Sequence, residues 1–171
     1  MLGSASCFLP LDVMPVVLLL LLLVSPTAFA DSFLISWGID VQARDDDPAG
    51  LLTFEYTGPT AYKWSNKTLA FGAAARVEEG DEFFLGGGAV FEWAFTPTWF
   101  FEFSLMPGFY DPRENGRDIG GNFHFRSLFG LGLVINQNTI VSVAIDHLSN
   151  ASIEDSNPGT ESVTFRHIWR F

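Results

Sequence analysis

The sequence predicts an all-β fold, an eight-stranded antiparallel transmembrane β-barrel that follows a cleaved signal peptide. Four observations predict it. Segments of about ten residues alternate apolar and polar side chains, the period of a strand with two different faces. One of those faces is crowded with bulky rings, drawn from 18 Phe and 5 Trp in 171 residues, more than the core of a small domain packs. The other face carries Gly, Ala and Ser with isolated charges of both signs, which suits a narrow lumen filled by side chains. A soluble sandwich or lipocalin-like barrel would reverse the two faces. Finally, the last strand runs Phe165-Arg166-His167-Ile168-Trp169-Arg170-Phe171 and ends on an aromatic.

Residues 1–30 read as a secretory signal peptide. Val16 to Val24 is an unbroken apolar run, and Ala28-Phe29-Ala30 offers an A-x-A cleavage site before Asp31. The run is too short for a membrane helix, which needs about 20 apolar residues. Met1 to Asp12 contains no Lys or Arg, so a start at Met14 is an alternative. Cleavage removes Cys7, the one cysteine, and leaves 19 acidic against 9 basic residues in 31–171. The exported domain therefore has neither disulfide nor thiol chemistry. Its acidic balance disfavours nucleic acid as a partner.

The strands follow in order. Phe33, Ile35, Trp37, Ile39 and Val41 share a face, and a turn at Arg44-Asp45-Asp46-Asp47-Pro48 ends that strand. Leu52, Phe54 and Tyr56 alternate with Thr53 and Glu55, and Gly58-Pro59 closes the second. Leu69, Phe71, Ala73, Ala75 and Val77 oppose Ala70, Gly72, Ala74 and Arg76. Phe83, Leu85, Ala89, Phe91, Trp93 and Phe95 oppose Gly86, Gly88 and Glu92, ending at Thr96-Pro97. Trp99, Phe101, Phe103 and Leu105 lead into the loop 111–118. Phe123, Phe125, Phe129, Leu131, Leu133 and Ile135 oppose Asn122, His124, Arg126 and Gly130. Thr139 to Ser149 places Val141, Val143 and Ile145 on one face and Ser142, Ala144 and Asp146 on the other. Thr160 to Phe171 completes the set, with Val163, Phe165, Trp169 and Phe171 together. His124, Arg126, Glu92 and Glu102 then point into the lumen, where ion pairing is expected.

With both termini on the periplasmic side, the turns at 43–49, 78–81, 111–118 and 150–159 lie outside. The connections 58–66, 96–98 and 136–138 face the periplasm. Eight strands leave no room for a pore. His147 and Ser149 share the lipid face of Val141, Val143 and Ile145, and Glu161 shares that of Val163 and Phe165. His147 lies about ten residues above its periplasmic turn, which at ~3.3 Å per residue and ~40° tilt is roughly 25 Å, the height of the apolar band. The group therefore sits at the outer rim, where an outward polar residue costs only about 0–1 kcal/mol. If the outer loop is symmetric about Glu154, His147 pairs with Glu161 across the two strands. A hydroxyl, an imidazole and a carboxylate are the parts of an acyl-transfer site. They are also ordinary residues for a solvated rim, and spacing alone leaves both readings standing.

The motif resolves the choice by resemblance. Asp146-His147-Leu148-Ser149-Asn150-Ala151 followed by Asn157-Pro158-Gly159-Thr160-Glu161-Ser162 resembles the C-terminal signature of the lipid A 3-O-deacylase (PagL) family. The likeness covers the last fifty or so residues, Phe125 included, and earlier residues match only in architecture. The terminal Phe171 likewise resembles the ending of bacterial outer-membrane proteins. The resemblance implies an outer-membrane esterase that removes the 3-O-linked hydroxyacyl chain of lipid A, the lipid of lipopolysaccharide. By position it makes Ser149 the nucleophile, His147 the general base and then acid, and Glu161 the group that orients the imidazole. Asn150 and Asn157 match positions near the scissile ester, where one of them could serve an oxyanion hole, and Phe125 would contact the acyl chain. Leu148 stands where the family more often has an aromatic.

No metal or other cofactor is expected, since no His, Cys or Glu cluster has ligand spacing. The Asp45-Asp46-Asp47 run reads as a solvated turn. The partner that the resemblance implies is the lipid A of the outer membrane, and a homodimer is compatible with the residues. The alternative function is a non-catalytic eight-stranded barrel serving adhesion or envelope integrity, against which the short outer loops argue.

Overall fold

The alternating segments form strands where the period predicts them, and the strands close on themselves. The computed structural model describes residues 32–42, 48–114 and 116–171. The signal-peptide segment with Met14 and Cys7, and the Asp45–Asp47 run, lie outside the described residues. The strands are β1 (Ser32–Asp40), β2 (Ala49–Thr57), β3 (Tyr62–Trp64), β4 (Lys67–Glu78), β5 (Phe83–Ala94), β6 (Trp99–Asp111), β7 (Phe123–Val134), β8 (Thr139–Ser149) and β9 (Thr160–Arg170). All pairs are antiparallel. β1 pairs with β9, and β2 pairs with β4, which closes an eight-stranded barrel of the long strands.

β3 is the departure from expectation. The connection 58–66 carries a three-residue strand that pairs Tyr62, Lys63 and Trp64 with Leu69, Thr68 and Lys67, prolonging the wall below the end of β2. Three residues are too few for a period of two to register in the sequence.

The faces are those of a membrane barrel. Trp37, Phe54, Phe71, Phe103, Phe129, Ile145 and Phe165 are exposed on the outside, whereas Ser36, Thr53, Glu55, Arg76, Glu102, Arg126 and Arg166 are buried inside. Burying polar groups and exposing rings is favourable only where the outer solvent is lipid.

The lumen is filled in layers. Leu34, Phe100, Ile140 and Ile168 pack at the periplasmic end, and the Phe100 ring lies so close to Gly132 that a Cβ there would sit 2.2 Å from its Cζ. Phe84, Tyr110, Ile119 and Leu148 pack at the outer end. Between them runs an ionic layer. Arg126 donates to Glu55 at 3.0 Å and Asp146 at 3.3 Å, and Arg166 pairs with Glu102 at 2.8 Å and Glu55 at 3.3 Å. Arg76 reaches Asp146 at 2.8 Å, Ser162 at 2.9 Å and Glu78 at 3.0 Å. At the periplasmic end Glu92 pairs with Arg170 at 2.9 Å. His124 differs from its expected ion pairing. It is buried with Nε2 3.3 Å from the Ile119 carbonyl oxygen and its ring 5.0 Å from that of Tyr110. The loop after β6 folds into the mouth and brings a backbone acceptor where a carboxylate was expected.

Candidate active site

β8 and β9 run side by side with a register symmetric about Glu154. His147 stands opposite Glu161, and Leu148 opposite Thr160. On the lumen side Asp146 accepts from Ser162 Oγ at 3.1 Å across the same pair of strands, and Thr160 Oγ1 donates to Asp40 on β1, tying β9 to its other neighbour. On the lipid side His147 Nδ1 lies 3.0 Å from Glu161 Oε1. A carboxylate at Nδ1 suits the tautomer that carries its proton there, which would turn the Nε2 lone pair away from Glu161. Both side chains are half-buried, at 43% and 36% exposure. Glu161 Oε2 is shielded and has no hydrogen-bond partner among the described residues, so the carboxylate's resolved interaction is with the imidazole.

Ser149 is half-buried on the same face, two residues beyond His147. Gly159, at φ +65°, lies against both: a Cβ on it would sit 3.0 Å from His147 Cε1 and 3.5 Å from Ser149 Cβ. The two side chains thus converge on one point of backbone. Phe125 stands directly opposite Ser149 on β7, its ring edge-on to Phe123 at 5.2 Å.

The two asparagines have different surroundings. Asn150 is fully buried and committed to the loop. Its Nδ2 donates to the carbonyls of Gly120 at 2.8 Å and Ser156 at 2.7 Å, and its Oδ1 accepts from Ser152 N at 2.9 Å. Asn157 is exposed, its Oδ1 accepting from Asn150 N at 3.0 Å and its Nδ2 lying 3.4 Å from Ser152 Oγ. Ala151 and Ser152 both adopt left-handed φ, 54° and 61°. Two non-glycine residues in that region are strained, and the Asn150 bonds hold the turn.

An apolar groove leaves the site. A cleft of about 250 Å³ is lined by Phe103, Ser127, Leu128, Phe129, Ile145 and His147. It shares Phe129 and Ile145 with a second of about 330 Å³, lined also by Leu131, Val143, Ala144 and Val163. Together they run down the outer wall from the imidazole. Cavities of about 280 and 190 Å³ at the periplasmic end share Thr68, Glu92 and Arg170 and contain none of the candidate residues. Among the described residues no group of three or more His, Cys, Asp or Glu could hold a metal.

The structure thus joins His147 to Glu161, sets Ser149 and Phe125 beside them, and turns the Asn150 amide inward. Ser127 was not singled out from the sequence, and Gly159 stood there only as a position of the Asn-x-Gly-x-Glu motif, with no role assigned. Ser127 had a signal, since it is the polar break between Phe125 and Phe129 on an aromatic face, directly across from His147. Gly159 also had a local one, a glycine closing a loop just before a strand.

A closed barrel with rings outside and charges inside defines an outer-membrane β-barrel, and on its outer surface lies the hydrogen-bonded His147–Glu161 pair. A family model described as lipid A 3-O-deacylase (PagL) matches residues 31–170. The chain belongs to this family, and with it is a carboxylic ester hydrolase of the outer membrane. Among solved structures, the crystal structure of the outer membrane enzyme PagL is 21% identical, with a TM-score of 0.64 over 82% of this chain and 99% of that one. A de novo designed transmembrane β-barrel is 9% identical, with a TM-score of 0.51 over 83% and 97%. Neisserial surface protein A, also 9% identical, gives 0.50 over 82% and 96%. These likenesses concern the fold. Among curated proteins, none matches.

Proposed function

We propose that Ser149, His147 and Glu161 form a triad that removes the 3-O-linked hydroxyacyl chain of lipid A at the outer rim of the barrel. The observation that carries this reading is the 3.0 Å bond between His147 Nδ1 and Glu161 Oε1 on the lipid-facing wall, with Ser149 two residues along the same face and against the same glycine. Ser149 Oγ attacks the ester carbonyl as His147 Nε2 takes its proton. The imidazolium is stabilised by Glu161 and returns the proton to the sugar oxygen as the C–O bond breaks. Water at the rim, deprotonated by the same imidazole, then attacks the acyl-serine and releases the fatty acid. The substrate arrives by diffusion in the leaflet, so no passage through the filled lumen is needed. A surround of lipid strengthens any dipole aimed at the developing oxyanion.

The groove below His147 offers the acyl chain an apolar path, with Phe125 at its upper edge. Ile145 lines both halves of it, so Ile145→Trp is expected to slow hydrolysis of long-chain esters much more than of short-chain ones. Equal slowing in an acyl-length series would remove the groove from the substrate's path. Of the two asparagines, the exposed Asn157 is the better oxyanion donor, since the Asn150 amide already serves two carbonyls. Glu161→Ala is expected to reduce kcat by about 10²-fold without abolishing it, because the imidazole remains but loses its orientation and counter-charge. Steady-state kinetics on purified lipid A checks this, and unchanged turnover would remove Glu161 from the triad. The decisive experiment expresses wild type and Ser149→Ala in a host of defined lipid A and reads the lipid mass. The adhesive alternative is not favoured, because the β6–β7 connection buries Ile119 in the mouth.

A further inference from the structure

The β6–β7 connection does more than close the mouth. Arg117, within it, holds backbone carbonyls on two other loops: Nη1 donates to the Gln42 carbonyl after β1, and Nη2 to the Gly159 carbonyl before β9. Arg117 is itself held, since its N–H donates to Glu82 Oε1 and its carbonyl accepts from Tyr110 Oη at 2.7 Å. Three residues further on, the Gly120 carbonyl accepts from Asn150 Nδ2 at 2.8 Å, so the same connection grips both ends of the β8–β9 loop.

Gly159 is where this grip meets the chemistry. Its backbone is in the left-handed region and abuts the Cε1 edge of His147, the carbonyl of Leu148 and the Cβ of Ser149, so closely that a methyl group would meet Cε1 at 3.0 Å. The peptide that Arg117 holds is therefore the wall on which the imidazole rests. Glu161 fixes one ring nitrogen, and a ring held at one nitrogen alone can still pivot about that bond. A guanidinium suits this role because its planar fork reaches two carbonyls in one fixed geometry, which an ammonium on a flexible stem does not.

We infer that Arg117 is a positioning residue for the site, acting through the Gly159 carbonyl to keep His147 against its wall. This rests on His147 and Ser149 being the catalytic pair.

The test uses the full barrel refolded in detergent or liposomes, as wild type, Arg117→Ala, Arg117→Lys, Gly159→Ala and the Arg117→Ala/Gly159→Ala pair. Rates are expressed per folded barrel, counted by its shifted mobility in unheated gels. Arg117→Ala is expected to lower kcat about tenfold, the scale of a slightly misplaced catalytic group, with KM changed by less than about twofold. The rate at which a fluorophosphonate labels Ser149 should fall by the same factor. Arg117→Lys should recover part of the loss, and the double variant should be no slower than Gly159→Ala alone. A kcat that holds per folded barrel overturns the inference, as does a rise in KM alone or a fully additive double variant. If Arg117→Ala does not fold, Arg117→Lys carries the test, since it should still lose several-fold in kcat. A wild type without esterase activity, or an active Ser149→Ala, sinks the triad reading instead. An active, Ser149-dependent enzyme indifferent to Arg117 sinks only the positioning role.

Discussion

Ser149→Ala is expected to leave lipid A fully acylated, with hydroxyacyl release reduced by about 10⁴-fold or more. The substitution removes one oxygen from a half-buried site and leaves the His147–Glu161 bond and the groove in place. Ser127 stands opposite His147, but its Oγ points to the His147 backbone carbonyl at 3.5 Å, so it is turned away from the imidazole edge. The nucleophile is the one member of such a site for which water is a poor replacement, since no acyl-enzyme can form. Mass spectrometry of lipid A from cells carrying each form reads the result directly. Full deacylation by Ser149→Ala, with the barrel folded in the membrane, would show that another group does the chemistry.

The largest effect on stability is expected from Arg76→Leu, at about 3–5 kcal/mol. Arg76 is 1% exposed and crosses the lumen from β4 to Asp146 on β8 and Ser162 on β9. It also meets Glu78 at 3.0 Å and Asp40 at 3.5 Å. Removing the cation leaves Glu78 and Asp40 without their guanidinium and Asp146 with Arg126 alone, in a space that admits little water, and an uncompensated buried charge costs far more than a lost pair. Urea unfolding in detergent should therefore show a much lower midpoint, and Arg76→Leu with Asp146→Asn should recover part of it. Wild-type stability in the single variant would mean that these carboxylates are not held as charges by Arg76. The consequence reaches the site as well, since Asp146 and Ser162 directly precede and follow His147 and Glu161 in their strands.

Much of the candidate site was legible before any fold was known. Strict alternation put His147, Ser149 and Glu161 on the apolar face, and counting from the turns set their depth. The register His147↔Glu161 followed from a loop symmetric about Glu154, and the strands keep it. The contacts made by the loops around the site were less legible. Asn150 matched a position near the ester, yet its amide ties Gly120 to Ser156 inside the loop. Arg117 stood in a turn with nothing in its neighbours to connect it to residues about 40 positions away. His124 read as a lumen charge until the β6–β7 connection supplied it a backbone carbonyl.

The division has a physical cause. Side-chain direction along a strand is set by covalent geometry with a period of two, so the sequence alone determined the strands, their inner and outer faces, and the lipid-facing placement of His147, Ser149 and Glu161. Contacts across the lumen and between loops depend on how far neighbouring strands are staggered when the sheet closes. That stagger is a property of the whole barrel, and no local window of residues contains it. Only the tertiary structure could therefore decide that Arg76 bridges to Asp146, that β3 prolongs the wall, and that Arg117 reaches the one glycine against which the imidazole rests.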